Sequence, residues 1–387
     1  MADSFTASTH DSWGSRIVSS LAGIVVGILF IPGSILLLSW NEHRAITTTH
    51  SLNEAAKSYV DVAADKVDPA NDGKLIHVTG PVATKEGVRD DTFEVSANAL
   101  RLKRSVEMYQ WKQTDSSEEK KNLGGSTDTV TTYKYEKVWS DSLIDSSNFK
   151  QPDGHGNPTS MIAKSETFIA SDATLGAFTV PEDIIGMMSG DKAINPTREN
   201  FDALSDELKT AGHLTSSGYY FGKDPAAAAV GDQKVTFEAL NPATFSILTQ
   251  QNGSTFQPFQ TKAGDAIERV ESGTVDAKLM LAHAQSENTL FTWILRLVGL
   301  IIMWIGFGLI FKPLSVLADV IPFLGSIVGA GGGLIALLIS IVGTFLTIAI
   351  AWLAVRPLLG GGLLVAAAAA LVMAWRVASR RPKKATS

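Results

Sequence analysis

The stretch from Leu290 to Trp375 consists almost entirely of apolar residues, and its few charges lie close to breaks in the run. About 20 apolar helical residues cross a hydrocarbon core of about 30 Å, because each residue of a helix rises about 1.5 Å. The stretch is therefore long enough for three passes. We predict an integral membrane protein.

Prolines, glycines and charges divide this stretch into four segments. Residues 290–311, 334–355 and 359–375 are predicted as membrane helices, and the last of them is the shortest. The segment 312–333 contains Asp319, Pro322 and five glycines. Because Pro and Gly free backbone groups that only protein or water can satisfy at depth, we expect 312–333 to be an interfacial or re-entrant segment.

An earlier apolar run, 17–40, predicts another membrane helix, and Trp13 and Arg16 flank its start. The alternative is a cleaved signal peptide, but the run is too long and no small-residue cleavage pattern precedes Asn41. The total is then four transmembrane helices, one N-terminal and three C-terminal.

The basic tail, 376–387, predicts the orientation, because loops rich in Lys and Arg tend to stay cytoplasmic. Four spans return the chain to its starting side, so residues 1–16 are also expected in the cytoplasm. Residues 41–289 then form a large extracytoplasmic domain. Its elements do not alternate regularly, which favours an α+β class with two lobes that divide near 195–212.

The strand signals in this domain are strongest at 102–111 and 130–139, joined by a charged loop. Aromatic residues recur at strand spacing and predict a cross-strand cluster. We favour a role for these aromatic side chains in the hydrophobic core. The alternative is that they form a platform for a ligand. Helices are predicted at 45–67, 197–211 and 276–288. The aromatic cluster comprises Tyr109, Trp111, Tyr133, Tyr135 and Trp139.

Small residues at four-residue spacing lie on one face of a helix and allow helices to approach closely. Gly23 and Gly27 fall in the first span, and Gly325, Gly329 and Gly333 repeat the spacing. We predict helix packing at these glycines. Asp319 and Pro322 would belong to a wedge that lies in the membrane surface.

The chain resembles the LUMA (transmembrane protein forty-three) family through motifs in the same order from end to end. The resemblance implies four spans with a large domain between the first and second. It also implies self-association and a scaffolding role, and supplies no catalytic residues. The motifs lie at 12–16, 39–45, 106–111, 154–158, 231–232, 312–314, 320–325 and 352–357.

Signals for catalysis are weak. The chain has no cysteine, and its seven histidines lack the spacing of a zinc protease. His155 lies in a loop rich in Gly, Asp and Asn, for which we favour a structural role over a metal or catalytic site. No P-loop or nucleophile elbow is present in the sequence. We therefore predict neither an enzyme nor a cofactor, and the net charge of -6 argues against nucleic acid.

A scaffold is the function that these patterns favour. Its expected partners are the lipid bilayer, further copies of the chain and other membrane proteins. The alternative is a channel, transporter or sensor with an extracytoplasmic ligand-binding domain. The lack of cysteine and the alanine-rich last span favour a bacterial inner membrane with a periplasmic domain. An endoplasmic reticulum or inner nuclear membrane is the alternative location.

Overall fold

The computed structural model describes residues 3–355 and positions 361, 362, 365, 369 and 372. These residues form two compact units. The strand-rich unit takes its described residues from 3–7, 51–117 and 131–283. The membrane unit takes its described residues from 8–50, 118–130 and 284–355, together with the five described positions beyond 355.

The helices of the described residues include three that are far longer than the others. They are α1 (Trp13–Ser58), α2 (Glu182–Met187), α3 (Arg198–Ala203), α4 (Asp206–Ala211), α5 (Ala277–Ala318) and α6 (Pro322–Val355). The strands are β1 (Asp3–Asp11), β2 (Val60–Val62), β3 (Leu75–Ala83), β4 (Val88–Asp90), β5 (Val95–Ala97), β6 (Arg101–Lys121), β7 (Thr127–Ser140), β8 (Glu166–Ile169), β9 (Thr174–Leu175), β10 (Phe178–Thr179), β11 (Lys192–Ile194), β12 (Gly212–Leu214), β13 (Gly218–Phe221), β14 (Gln233–Leu240), β15 (Ala243–Asn252), β16 (Thr255–Gln257), β17 (Phe259–Gln260), β18 (Ala266–Ile267) and β19 (Arg269–Ser272).

Among the described residues, α1, α5 and α6 are long and apolar enough to cross a membrane. They contain the predicted spans 17–40, 290–311 and 334–355, so the integral membrane class and the α+β class are confirmed. The structure matches three of the four predicted membrane helices. The fourth, 359–375, and the basic tail 376–387 fall almost wholly outside the described residues.

The segment 312–333 differs from the expected irregular piece. Helix α5 continues through Pro313 to Ala318, and α6 begins at Pro322 after a turn of three residues. Proline suits the first turn of a helix, where its missing N–H has no partner to lose. Glycine and proline are also frequent in membrane helices, which explains why they do not interrupt this segment.

The strand-rich unit is built from two main sheets. One has eight strands in the order β1-β7-β6-β14-β13-β12, with β11 paired to β14 and β8 to β6. The other has seven strands in the order β10-β9-β3-β15-β16, with β19 on β15 and β2 on β3. The pairs β4-β5 and β17-β18 form two small sheets.

Each main sheet combines strands from both halves of the domain. The early strand β6 pairs with β14 over Arg101–Met108, and the early strand β3 pairs with β15 over Leu75–Val82. The two lobes expected to divide near 195–212 are thus interleaved. The predicted helix 197–211 breaks into α3 and α4, because Leu204 is extended and Ser205 caps a new helix start.

A single hydrophobic core contains buried side chains from both sheets. Val235, Phe237 and Ala239 of β14 point inward, while the residues between them face outward. This alternation is the period of two that a half-buried strand requires. At the centre, the ring of Phe93 lies 5.9 to 6.2 Å from the rings of Tyr219, Phe221 and Phe237.

Replacing Phe93 with alanine is expected to lower the free energy of unfolding of the strand-rich unit by about 3 to 5 kcal/mol, because the site would keep a cavity. Thermal unfolding of the detergent-purified chain, followed by circular dichroism, measures the change. Leu143→Ala is the control, since that side chain is 45% exposed. Equal melting temperatures for the two variants would contradict the position of Phe93 in the core.

Candidate functional site

A buried carboxylate joins three membrane helices at Glu42. Glu42 lies on α1, and its two oxygens accept bonds of 2.7 and 2.8 Å from Nε and Nη2 of Arg296 on α5. The indole Nε1 of Trp352 on α6 donates to the same carboxylate at 2.6 Å. The Glu42 side chain is only 2% exposed, so the partners must supply the stabilisation that water would otherwise provide. We call these three residues the Glu42 cluster.

Polar side chains extend the Glu42 cluster along the seam between α1 and α5. Arg44 donates to Asn288 at 2.9 Å and to Thr292 at 3.0 Å. Asn41 donates to the backbone oxygen of Thr292 at 3.1 Å. Such bonds between helices fix their rotation, because a wrong register would leave buried polar groups unsatisfied.

A second buried carboxylate, Asp319, lies at the turn between α5 and α6. Its side chain is 1% exposed and accepts from Arg16 at 2.5 Å and from Lys121 at 2.8 Å. Arg16 also donates to the backbone oxygen of Gly125. We call Asp319, Arg16 and Lys121 the Asp319 cluster. It joins the start of α1, the tip of the β6–β7 hairpin and the α5–α6 turn.

Close contacts to backbone groups surround the Asp319 cluster. The indole of Trp13 donates to the backbone oxygen of Val316 at 2.9 Å, and Gly124 N–H donates to the backbone oxygen of Val320 at 3.1 Å. Gly125 has a φ of +84°, and a Cβ there would collide with the Trp13 ring. Only glycine fits this position, because it combines a left-handed backbone with the indole contact.

The Asp319 cluster bears on the predicted orientation. The sequence assigns Arg16 to the cytoplasmic 1–16 and Lys121 to the extracytoplasmic 41–289. Both cations contact the carboxylate of Asp319, and the assignment of the two segments to opposite sides of a membrane stays a prediction. The orientation rule counts Arg16 as a flanking charge, whereas the structure uses it as the partner of a buried acid.

The two clusters lie at opposite ends of the apolar part of α1. Arg16 and Glu42 are 26 positions apart on that helix, which corresponds to about 39 Å at about 1.5 Å per residue. This distance exceeds the hydrocarbon core of about 30 Å. The separation is thus long enough for both charges to lie outside the hydrocarbon core of a membrane that α1 crosses.

A cleft of about 330 Å³ opens beside the Glu42 cluster. Polar side chains of α1 and α5 line it, together with the rings of Trp293 and Trp352. An apolar groove of about 170 Å³ lies between α5 and α6 and shares Trp293 and Arg296 with the cleft. A polar chamber and an apolar chamber therefore adjoin at the same two side chains.

The predicted aromatic cluster of the strand-rich unit divides into separate groups. Tyr109 contacts Trp139 at 5.1 Å between ring centroids, and Tyr133 contacts Phe5 at 6.3 Å. Trp111 and Tyr135 both contact a buried histidine of the following loop, His155.

His155 is stacked on Tyr135 at 3.9 Å and meets the edge of Trp111 at 4.7 Å. Its ring nitrogens face the backbone oxygen of Gln151 and the carboxylate of Asp3, each at 2.9 Å. These contacts agree with a structural role. No group of three metal-ligating side chains occurs in the described part of the chain.

A shallow cleft in the strand-rich unit contains Asp232, which accepts from the Tyr220 hydroxyl at 2.5 Å. Burial, together with this carboxylate, raises the pKa of Tyr220 well above its usual value. The phenol therefore stays protonated at neutral pH and acts as a hydrogen-bond donor. Asp232 also accepts from Ala229 N–H at 2.8 Å, so the pair holds the chain turn before β14.

The glycines predicted to pack helices have different surroundings. A Cβ at Gly27 would lie 2.6 Å from the backbone oxygen of Gly306 on α5, and one at Gly23 would touch Leu309. A Cβ at Gly325 would collide with Asp319, and one at Gly329 would lie 2.9 Å from Ser315. These four glycines pack within the chain. A Cβ at Gly333, by contrast, would meet open space among the described residues.

Sequence reasoning missed the pairing of Glu42 with Arg296, although a weak signal was present. Arg296 lies inside an apolar run, where a long basic side chain is expected to extend towards the membrane surface. An acid at the end of the first apolar run is the partner that burial requires. Lys121 carries no comparable signal, because it belongs to a run of exposed charges.

The chain is similar to proteins described as Transmembrane protein 43. The family model of that description matches residues 108–357. The chain is 30% identical to the human protein over 366 residues, covering 91% of this chain and 89% of the human protein. It is 27% identical to a Transmembrane protein 43 homolog of Drosophila melanogaster, covering 95% and 96% of the two chains. No solved structure matches the chain significantly.

Replacing Arg296 with methionine is expected to lower the free energy of unfolding by about 3 to 5 kcal/mol, because Glu42 would be left buried without its countercharge. The double variant Arg296→Met/Glu42→Gln should recover most of this loss, since neither charge remains. Thermal unfolding in detergent compares the two. A single variant as stable as the parent would show that the pair is not buried.

Proposed function

The chain belongs to the transmembrane protein 43 family, and we propose that it is a multi-pass membrane scaffold that associates with copies of itself. The resemblance found in the sequence is thereby confirmed. As a scaffold, the chain organises a membrane patch or recruits partners through the large domain between its first two membrane helices.

The outward surface of the membrane unit supports this proposal. Large apolar side chains of all three long helices face outward, and examples are Leu29 at 66%, Leu36 at 71% and Phe345 at 64% exposure. Exposing such an apolar surface to water is unfavourable, so lipid or further helices must cover it. The buried ion clusters hold the three helices in one arrangement and so present a defined surface to neighbours.

The outer face of α6 gives the most direct support for self-association. Among the described residues, no group lies within 4 Å of the place that a Cβ would take at Gly331, and Gly331 and its neighbour Ala330 are both exposed. In a membrane, small residues let another helix approach closely and gain van der Waals contact. Gly325 and Gly329 are already used inside the chain, and the backbone oxygen of Gly333 on the same face accepts from the Trp304 indole. The opposite face, at Gly331, is left for a second copy.

The alternative of a channel, transporter or sensor draws on the Glu42 cluster. Ionisable groups among membrane helices often mark ion or substrate paths, because they are costly to bury in lipid. Here the acid and the base neutralise each other and Trp352 occupies a further lone pair. This arrangement favours a structural role for the Glu42 cluster over a role in a path for protons or ions.

The proposal also covers the membrane in which the chain is located. The lack of cysteine favours a bacterial inner membrane with a periplasmic domain. The relatives reported above are animal proteins, and they agree with the alternative of an endoplasmic reticulum or inner nuclear membrane. Imaging a tagged chain together with markers of these membranes tests the choice.

Replacing Gly331 with leucine is expected to shift the particle from oligomer to monomer, because Gly331 is exposed and the new side chain enters open space, where it obstructs a neighbouring molecule. Mass photometry of the detergent-extracted chain measures the particle mass. Gly308→Leu is the matched control, since a Cβ at Gly308 on α5 also meets open space.

Three results would count against this proposal. A monomeric parent chain would remove self-association, and an unchanged mass for Gly331→Leu would remove this face of α6 from the interface. A loss of mass in both variants would show that the interface is not specific to α6.

A further inference from the structure

We propose that the Glu42 cluster and the groove beside it form a binding site for one glycerophospholipid molecule. The phosphate would lie in the polar cleft against Arg296, and one acyl chain would lie in the apolar groove between α5 and α6. The inference requires only that the helices lie in a membrane, and it is independent of self-association.

The adjoining chambers match the two chemical halves of such a lipid. Gln285, Asn288 and Thr289 give the cleft a polar lining, in which Asn288 and Thr289 already donate to backbone oxygens of the chain. The groove is lined almost entirely by aliphatic and aromatic side chains. Trp293 and Arg296 line both chambers, and the proposed molecule passes these two side chains to occupy both. The other groove residues are Leu297, Leu300, Ile341, Thr344, Phe345 and Ile348.

Arg296 has hydrogen-bonding capacity beyond its pair with Glu42. A guanidinium group carries five N–H donors, and the pair uses one on Nε and one on Nη2. The remaining donors can reach a phosphate, which guanidinium binds well because of its planar shape. The rings of Trp293 and Trp352 lie 4.7 and 5.7 Å from the guanidinium carbon and hold its plane.

Hydrogen bonds from behind the cleft wall fix its shape. Arg44 donates to Asn288 and Thr292, two of the wall residues, at 2.9 and 3.0 Å. Glu42 and Arg296 neutralise each other at the wall, so the phosphate would bind through the remaining N–H donors of Arg296.

The position of the site along the helices agrees with the position of lipid phosphates. Trp293 lies near the start of the apolar run of α5, and Trp352 lies near the end of the apolar run of α6. Tryptophan is enriched at membrane–water boundaries. The groove extends from there along the apolar part of both helices. A bound lipid would therefore keep the same orientation as the lipids of the bilayer.

The test uses the full chain, stripped of lipid in detergent and then supplied with phosphatidylcholine. Native mass spectrometry counts the lipid molecules bound to each chain. Leu300→Trp fills the groove, and Leu338→Trp is the matched control, because Leu338 is 54% exposed and lies outside the groove. Arg296→Lys keeps a positive charge for Glu42 but removes the planar fork.

We expect one phosphatidylcholine on the parent chain and on Leu338→Trp. Affinity should fall about tenfold or more in Leu300→Trp and in Arg296→Lys, where tenfold corresponds to about 1.4 kcal/mol. Diacylglycerol with the same acyl chains should not replace the phospholipid on the parent, because it lacks the phosphate. Free inorganic phosphate should not replace it either, because it lacks the acyl chain.

The proposal would be overturned by a parent chain that retains no lipid after resupply. Equal retention by Leu300→Trp and Leu338→Trp would remove the groove from the site. Equal binding of diacylglycerol would remove the role of the phosphate, and this comparison needs no variant to fold. Because lipid is counted per chain, these results are independent of whether the particle is an oligomer.

Discussion

The need to compensate buried charge controls the structure of the membrane unit. Glu42 and Asp319 are almost without water, and each is paired with an arginine from a different segment of the chain. Removing one partner from a buried pair costs far more than the pair contributes when intact. The pairs therefore act mainly as constraints on geometry, since an arrangement that separates them is strongly disfavoured. The apolar surfaces of the same helices would tolerate many arrangements, because lipid is as apolar as the side chains that contact it.

The strand-rich unit obtains its single arrangement differently, through side-chain packing between two sheets. The β6–β14 and β3–β15 pairings join strands distant in sequence, and the core includes a dense aromatic centre at Phe93. Such a unit offers a rigid surface, which suits recruitment of partners more than movement. Its buried residues His155 and Tyr220 are occupied by contacts within the chain.

The sequence predicted local elements better than the contacts between them. The apolar runs predicted the membrane helices, and period-two patterns predicted β6 and β7, because both signals depend on neighbouring residues. Strand β6 nevertheless continues ten residues beyond the predicted 111, into the segment expected to be a charged loop. The interleaving of the lobes and the partner of Arg296 depend on segments far apart in sequence, so local periodicity does not contain them. Asp319 stands out in the sequence as an acid within an apolar stretch, but Lys121 could be assigned to it only from the structure. The break at Leu204 was missed because Ser205 can serve either as helix interior or as a cap.

The Asp319 cluster has a consequence for the order in which the chain assembles. Its contacts join Arg16 and Lys121 to a residue 303 and 198 positions later in the chain. During synthesis the two cations leave the ribosome long before the acid does, and such distant closures carry a large entropy cost. Until α5 is inserted, Arg16 and Lys121 must remain hydrated or pair with other groups. The cluster closes only after that step, so its formation reports that α1, the β6–β7 hairpin and α5 have reached their final order.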